Sequence, residues 1–237
     1  MDRNVLGFPV ATGAASRSAD SQRVLRNTYW LLALSMLPTV LGAWVGLSTG
    51  VFASMLRSPG LSAIVFLAGA FGFMFAIQRY KDSTTGVGLL LGFTFFMGLM
   101  LSRLVGFALN FQNGAQMIML AFGGTAGIFL VMATVATVVK RDLSGLAQFL
   151  MVGALLVFAA SIVNLFMHSS TLMLVLSVGV MAIFSLFILV DVKRVLDGGE
   201  TNYVMATLNI YLDLYNVFQS LLMLLLQLGG GGGSSRD

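Results

Sequence analysis

Apolar stretches long enough to cross a bilayer follow one another through most of this chain, and only short turns separate them. A helix needs about 20 apolar residues to traverse roughly 30 Å of hydrocarbon. Expected spans cover residues 28–48, 61–78, 86–109, 115–139, 146–167, 171–196 and 203–228. That pattern describes an all-α polytopic membrane protein, a bundle of seven transmembrane helices. Composition agrees: 58% of the 237 residues are hydrophobic and 9% are charged, too little polar material to coat a soluble core of this size. Residues 1–27 are polar, small and basic and are expected to form a flexible cytoplasmic tail, whereas residues 28–228 form the membrane domain. The closing residues 229–237 have the glycine-rich composition of a flexible tail.

Several functions are excluded by counting. Cysteine is absent and histidine occurs once, at His168, which leaves no thiolate or multi-histidine metal site, so any bound ion would be held by oxygens. The net charge of +4 comes from basic residues beside apolar runs, as topology requires, so no nucleic-acid partner is expected. Arg3, Arg17, Arg23, Arg26, Arg79, Lys81, Lys140, Arg141, Lys193 and Arg194 fall on one side of the seven spans, against Arg57 and Arg236 on the other. The positive-inside rule then places the N-terminus and the turn between spans six and seven in the cytoplasm and the C-terminus outside. Trp30 and Trp44 stand near the two ends of the first span, where interfacial anchors belong, and Pro38 is tolerated within it. A Pro-Gly turn is expected at Arg57 to Gly60. Gly88 with Gly92, and Gly123 with Gly127, have the spacing that lets helices approach closely.

Two carboxylates interrupt the last hairpin: Asp191 in span six and Asp213 in span seven, on either side of the turn DGGETN. A charged aspartate at a bilayer centre costs roughly 2.5 to 3.5 kcal/mol on insertion scales, which makes an incidental pair improbable. At 1.5 Å per residue Asp191 lies roughly 9 Å before the turn and Asp213 roughly 15 Å after it, so a modest tilt or stagger would level them. Asn209, Asp213, Asn216 and Ser220 recur at helical spacing and share one face, and the opposite apolar positions are expected to face lipid. Two carboxylates about 4 Å apart repel by about 4 kcal/mol at an effective dielectric near 20, so a close pair would share a proton and act as a proton-sensitive cation site. The alternative is that each aspartate separately hydrogen-bonds a neighbouring helix and fixes packing. Arg79, at the end of span two, could reach an aspartate, although snorkelling is the commoner fate of such a residue, and of Arg103. Ser161 and Asn164 are expected to hydrogen-bond between helices, and His168 to be solvated. The fifteen methionines are dispersed filler.

The segments GGETNYVMATLNIYLDLYNVF, VLRNTYWLLALS, GFMFAIQR, AFGGTAGIF and KRDLSGL together resemble the Bax inhibitor-1 (transmembrane Bax inhibitor motif) family, in its bacterial YccA-type branch, over about residues 23 to 226. The resemblance implies a seven-helix bundle in the bacterial inner membrane with the last helix central. It also implies a pH-sensitive calcium leak whose paired-aspartate sensor maps onto Asp191 and Asp213, the two groups that a transient Ca2+ or other cation would touch. The family latches an arginine near the end of helix two onto the first aspartate. Arg79 is the matching residue, in IQRYKD where the family pattern has a run of arginines. No cofactor is implied. YccA-type members are associated with the membrane-bound AAA protease FtsH, which draws in a flexible N-terminal tail, so modulation of FtsH is the alternative function. An enzyme is not expected: intramembrane aspartyl proteases also pair two aspartates, but they carry GxGD and PAL motifs, and Asp213 sits in IYLDLY.

Overall fold

The computed structural model of the chain describes residues 12–50 and 59–230. Within them the chain forms seven α-helices: α1 (Thr12–Thr49), α2 (Pro59–Tyr80), α3 (Thr84–Leu109), α4 (Gly114–Val138), α5 (Ser144–Met167), α6 (Ser170–Leu196) and α7 (Tyr203–Gly230). Six are long and apolar enough to cross a membrane, and α2 contributes a shorter apolar stretch, Ile64–Tyr80. The expected boundaries hold to within about two residues except at the start of α1. There the helix begins at Thr12, so residues 12–27 are helical rather than a flexible tail. Once the spanning part has met the cost of nucleation, Ala, Gln, Arg and Leu extend the helix readily. Leu25 packs against the core and Thr28 is fully buried. Residues 1–11, Arg57 and Ser58 of the expected turn, and residues 231–237 lie outside the described residues; Pro59 and Gly60, expected in that turn, instead open α2, where proline suits the first helical position, and Gly229 and Gly230 end α7.

Packing falls into two layers of intimacy. Helices α1 and α3 are held closest, because a Cβ on Gly98 would overlap the Thr39 carbonyl and one on Gly42 the Phe95 carbonyl. Gly46 lies in the same way against Ser102. Close backbone approach is what small residues provide between membrane helices, where apolar side chains gain nothing by leaving lipid. The glycines singled out by spacing do not serve this purpose: a Cβ on Gly88, Gly123 or Gly127 would meet nothing within 4 Å, and Gly92 touches only Phe73. Spacing alone does not say which face of a helix meets a neighbour.

Helix α7 lies against α1, α2, α3, α4 and α6, whereas α5 touches only α6. Its apolar positions were expected to meet lipid; instead Ile210, Val217 and Leu222 are fully buried within the protein. Tyrosine hydroxyls fix α7 in place. Tyr211 pairs with the Thr39 hydroxyl of α1 at 2.9 Å and donates to the Thr94 carbonyl of α3 at 3.4 Å, and Tyr215 donates to the Met97 carbonyl at 3.3 Å. Thr207 reaches the Thr28 carbonyl at 3.4 Å. Phe93 meets the Tyr211 ring edge-on. The outer perimeter is apolar, with Phe75, Phe149 and Phe166 exposed, and Trp30 and Trp44 project from it as interfacial anchors would.

Candidate functional site: a carboxyl pair in the last hairpin

The turn between α6 and α7 sets the geometry of the site. Asp197 caps α6, and Gly198, with φ of 76°, turns the chain into the left-handed region that favours glycine. The Gly199 and Glu200 amides both donate to the Arg194 carbonyl, at 2.8 and 3.2 Å, and Lys193 forms an ion pair with Asp197. Asn202 then caps α7: its side-chain oxygen accepts from the Val204 and Met205 amides, each at 3.0 Å. Its side-chain nitrogen donates to the Lys81 carbonyl at 3.1 Å and to the Asp82 carboxylate at 2.8 Å. One asparagine therefore starts α7 and ties it to the α2–α3 turn. The hydroxyl of Ser21 on α1 stands beside Gly198, so the early part of α1 borders the same turn.

Held in this way, α6 and α7 bring the carboxyl groups of Asp191 and Asp213 within hydrogen-bonding range of one another. Asp213 is only 5% exposed, and its Oδ2 has no hydrogen-bond partner. Two carboxylates are both acceptors, so a hydrogen bond between them requires a proton. An unsatisfied buried acceptor costs about 1–3 kcal/mol, and more when charged, so the arrangement is held by its surroundings. Around Asp191 the charged neighbours are Arg194, one helical turn on, and Glu200. Arg79 is exposed on the last turn of α2, and the cation recorded beside Asp191 is Arg194 instead. Sequence reasoning counted Arg194 only toward topology, although its i, i+3 spacing from Asp191 was visible. The Tyr211 and Tyr215 anchors were likewise missed; their i, i+4 spacing was the available signal.

The rest of the stripe runs away from the turn. Asn209 is half-buried, Asn216 donates to the Leu212 carbonyl at 2.8 Å, and Ser220 is buried. Asn216 and Ser220 border a cavity of about 600 Å³ at the end of the bundle remote from the α6–α7 turn. Ser161 does not link helices as expected, since it donates to Val157 of its own helix at 2.8 Å, whereas Asn164 of α5 accepts at 3.1 Å from the amide of Ser169, the N-cap of α6. His168 is exposed and ends α5 with φ of 51°. Among the described residues no three of His, Asp and Glu lie close enough together to hold a metal ion.

The family model described as inhibitor of apoptosis-promoting Bax1 matches residues 21–230. The chain is 35% identical over 205 residues to the "modulator of FtsH protease YccA" of Escherichia coli K12, covering 86% of this chain and 90% of that one. An uncharacterised protein of Neisseria meningitidis serogroup A is 36% identical over 215 residues, covering 90% of this chain and 95% of the relative. A membrane protein of Vibrio cholerae is 31% identical over 214 residues, covering 90% and 93%.

Proposed function

Because the chain belongs to the Bax inhibitor-1 family, we propose that it is a cation leak of the bacterial inner membrane, closed while Asp191 and Asp213 share a proton and opened when that proton leaves. The observation that carries this reading is the meeting of the two carboxyls inside the bundle with Asp213 Oδ2 unpartnered. Loss of the shared proton would set two negative charges against each other, a repulsion of about 4 kcal/mol for carboxylates about 4 Å apart at an effective dielectric near 20. Such a repulsion is comparable to the sum of several helix–helix hydrogen bonds at about 0.6 kcal/mol each, enough to part α6 from α7 at this level. Calcium is the cation best suited to a transient contact with two carboxylates, although their four oxygens fall short of the roughly six to eight of a storage site. The protein then acts as a conduit, not an enzyme, and needs no cofactor. In this arrangement α7 is the central helix around which the others are wrapped, with the N-terminus and the α6–α7 turn in the cytoplasm and the C-terminus outside.

Calcium flux from proteoliposomes tests it. Wild-type flux should rise as pH is raised from about 6 to about 8, and Asp213→Asn should abolish that dependence; an unaltered profile in Asp213→Asn would sink the proposal.

A second reading rests on the E. coli relative whose name makes it a modulator of FtsH. In that role the N-terminal segment would be offered to the protease while the bundle stays in the membrane. Deleting residues 1–20 should then release FtsH from restraint, seen as faster turnover of its membrane substrates. Unchanged turnover would count against this role without touching the leak.

A further inference from the structure

Between the ends of α5, α6 and α7 remote from the Asp191–Asp213 pair lies the cavity of about 600 Å³, with Leu104 of α3 at its edge. It is open to the surface and mostly apolar in its lining, with Ser161, Asn164, Ser177, Asn216, Gln219 and Ser220 supplying much of its polar part. Three of the six donate within their own helices. Ser161 donates to Val157, Ser177 to Met173 and Asn216 to Leu212, each at 2.8 Å and each within its own helix. A hydroxyl that donates backwards into its helix leaves its oxygen to accept, and an amide that does so keeps its oxygen and one N–H.

Lipid is a poor occupant for such a space, since each polar group left facing hydrocarbon costs several kcal/mol. A roomy space with several polar partners suits water. Hydroxyl and amide oxygens also suit a cation, whose lost hydration they replace. Asn216 stands one helical turn from Asp213 on α7, so the floor of the cavity approaches the carboxyl pair. Along α6, by contrast, Val180 at the cavity wall and Asp191 are separated by about 16 Å of helix at 1.5 Å per residue, and Ser185, Ile188 and Leu189 are buried between them.

We propose that this cavity is a water-filled vestibule through which hydrated cations approach the Asp191–Asp213 gate from the side opposite the α6–α7 turn, with buried Ser185, Ile188 and Leu189 of α6 as the closed barrier. It rests on the leak reading above and adds the route and the mouth.

The chain has no cysteine, so single cysteines can be placed without background. In proteoliposomes carrying the full chain, Ser220→Cys would be exposed to a membrane-impermeant cationic methanethiosulfonate, with Phe158→Cys as a control at similar depth on the exposed surface of α5. Gln219→Cys serves if Ser220→Cys does not fold. The vestibule thiol should react at least tenfold faster than the Phe158→Cys thiol, because the reactive thiolate forms in water and not in hydrocarbon, and calcium flux should fall at least tenfold on modification. Equal, slow labelling of both would mean that lipid fills the space and overturns the proposal. Fast labelling that leaves an Asp213-dependent flux intact would put the route elsewhere and also overturns it, while the gate stands. Fast labelling that blocks a flux indifferent to Asp213→Asn would support the vestibule and remove the gate.

Discussion

Asn202 offers the sharpest test of how the hairpin is held, because its two side-chain functions can be separated. The oxygen caps α7 through Val204 and Met205, and the nitrogen ties the cap to Lys81 and Asp82 of the α2–α3 turn. Replacement of an asparagine cap by alanine costs about 1 kcal/mol. Each hydrogen bond from the nitrogen is worth about 1 kcal/mol net, the one to Asp82 being exposed and so not much more. Asn202→Ala should therefore destabilise by about 3 kcal/mol, and Asn202→Ser, which keeps a capping oxygen but has no reach to the other turn, by about 2 kcal/mol. At roughly 2–4 °C per kcal/mol for a chain of this size, the melting temperature in detergent should fall by about 6–12 °C and about 4–8 °C. Asn202→Asp should keep the cap yet set a second carboxylate beside Asp82, and should fall below Asn202→Ser. The cap-and-tie account would be refuted by Asn202→Ser melting with the wild type, or by Asn202→Asp matching it.

Two other outcomes follow from local geometry. Gly98→Ala would push a methyl group into the Thr39 carbonyl and should cost about 1–3 kcal/mol as overpacking, whereas Gly88→Ala, which meets nothing, should be neutral or gain up to about 1 kcal/mol; melting temperatures of the pair check this. Asp142, between α4 and α5, accepts from the Ser144 hydroxyl at 2.5 Å and the Ser144 amide at 2.9 Å, and these bonds, with Lys193 nearby, hold its carboxyl below the usual range. Its stabilising contribution is therefore complete above the ordinary aspartate range and is lost as pH falls through the lowered folded value, and Ser144→Ala should move the NMR titration midpoint of Asp142 back up.

How much of this was legible beforehand depended on whether one segment or two were involved. Span number and most boundaries follow from the length of apolar runs, a property of each segment alone. The start of α1 was missed because a polar segment carries no apolar run, and the contacts of its later part, Ser21 beside Gly198 and Leu25 against the core, are not displayed by composition. Glycine spacing pointed to Gly88, Gly92, Gly123 and Gly127, while the contacts fell to Gly42, Gly46 and Gly98, because a close approach needs a partner face as well as a small residue. For the same reason the apolar side of α7 could not be recognised as buried: in membrane helices, protein-facing and lipid-facing leucines look alike. The aspartates stood out because a carboxylate in an apolar run is costly wherever it points, yet Arg194 beside Asp191 was hidden among the basic residues that set topology.

The bonding pattern also decides which helix can answer a change at the carboxyl pair. Helix α7 is fixed to α1 and α3 through Thr207, Tyr211 and Tyr215, bonds that cross between helices. Ser177 and Ser185 of α6 donate within α6, to Met173 and Met181. Repulsion between Asp191 and Asp213 would thus be relieved by α6, carrying α5, which among the described helices packs only on α6. Spin labels at Leu196 of α6 and Thr201, before α7, should move apart by several ångströms between about pH 6 and pH 8 if the pair loses its shared proton, while labels joining α1 to α7 keep their distance. Movement between α1 and α7 with α6 stationary against α7 would mean that the tyrosine anchors, not the carboxyl pair, yield first.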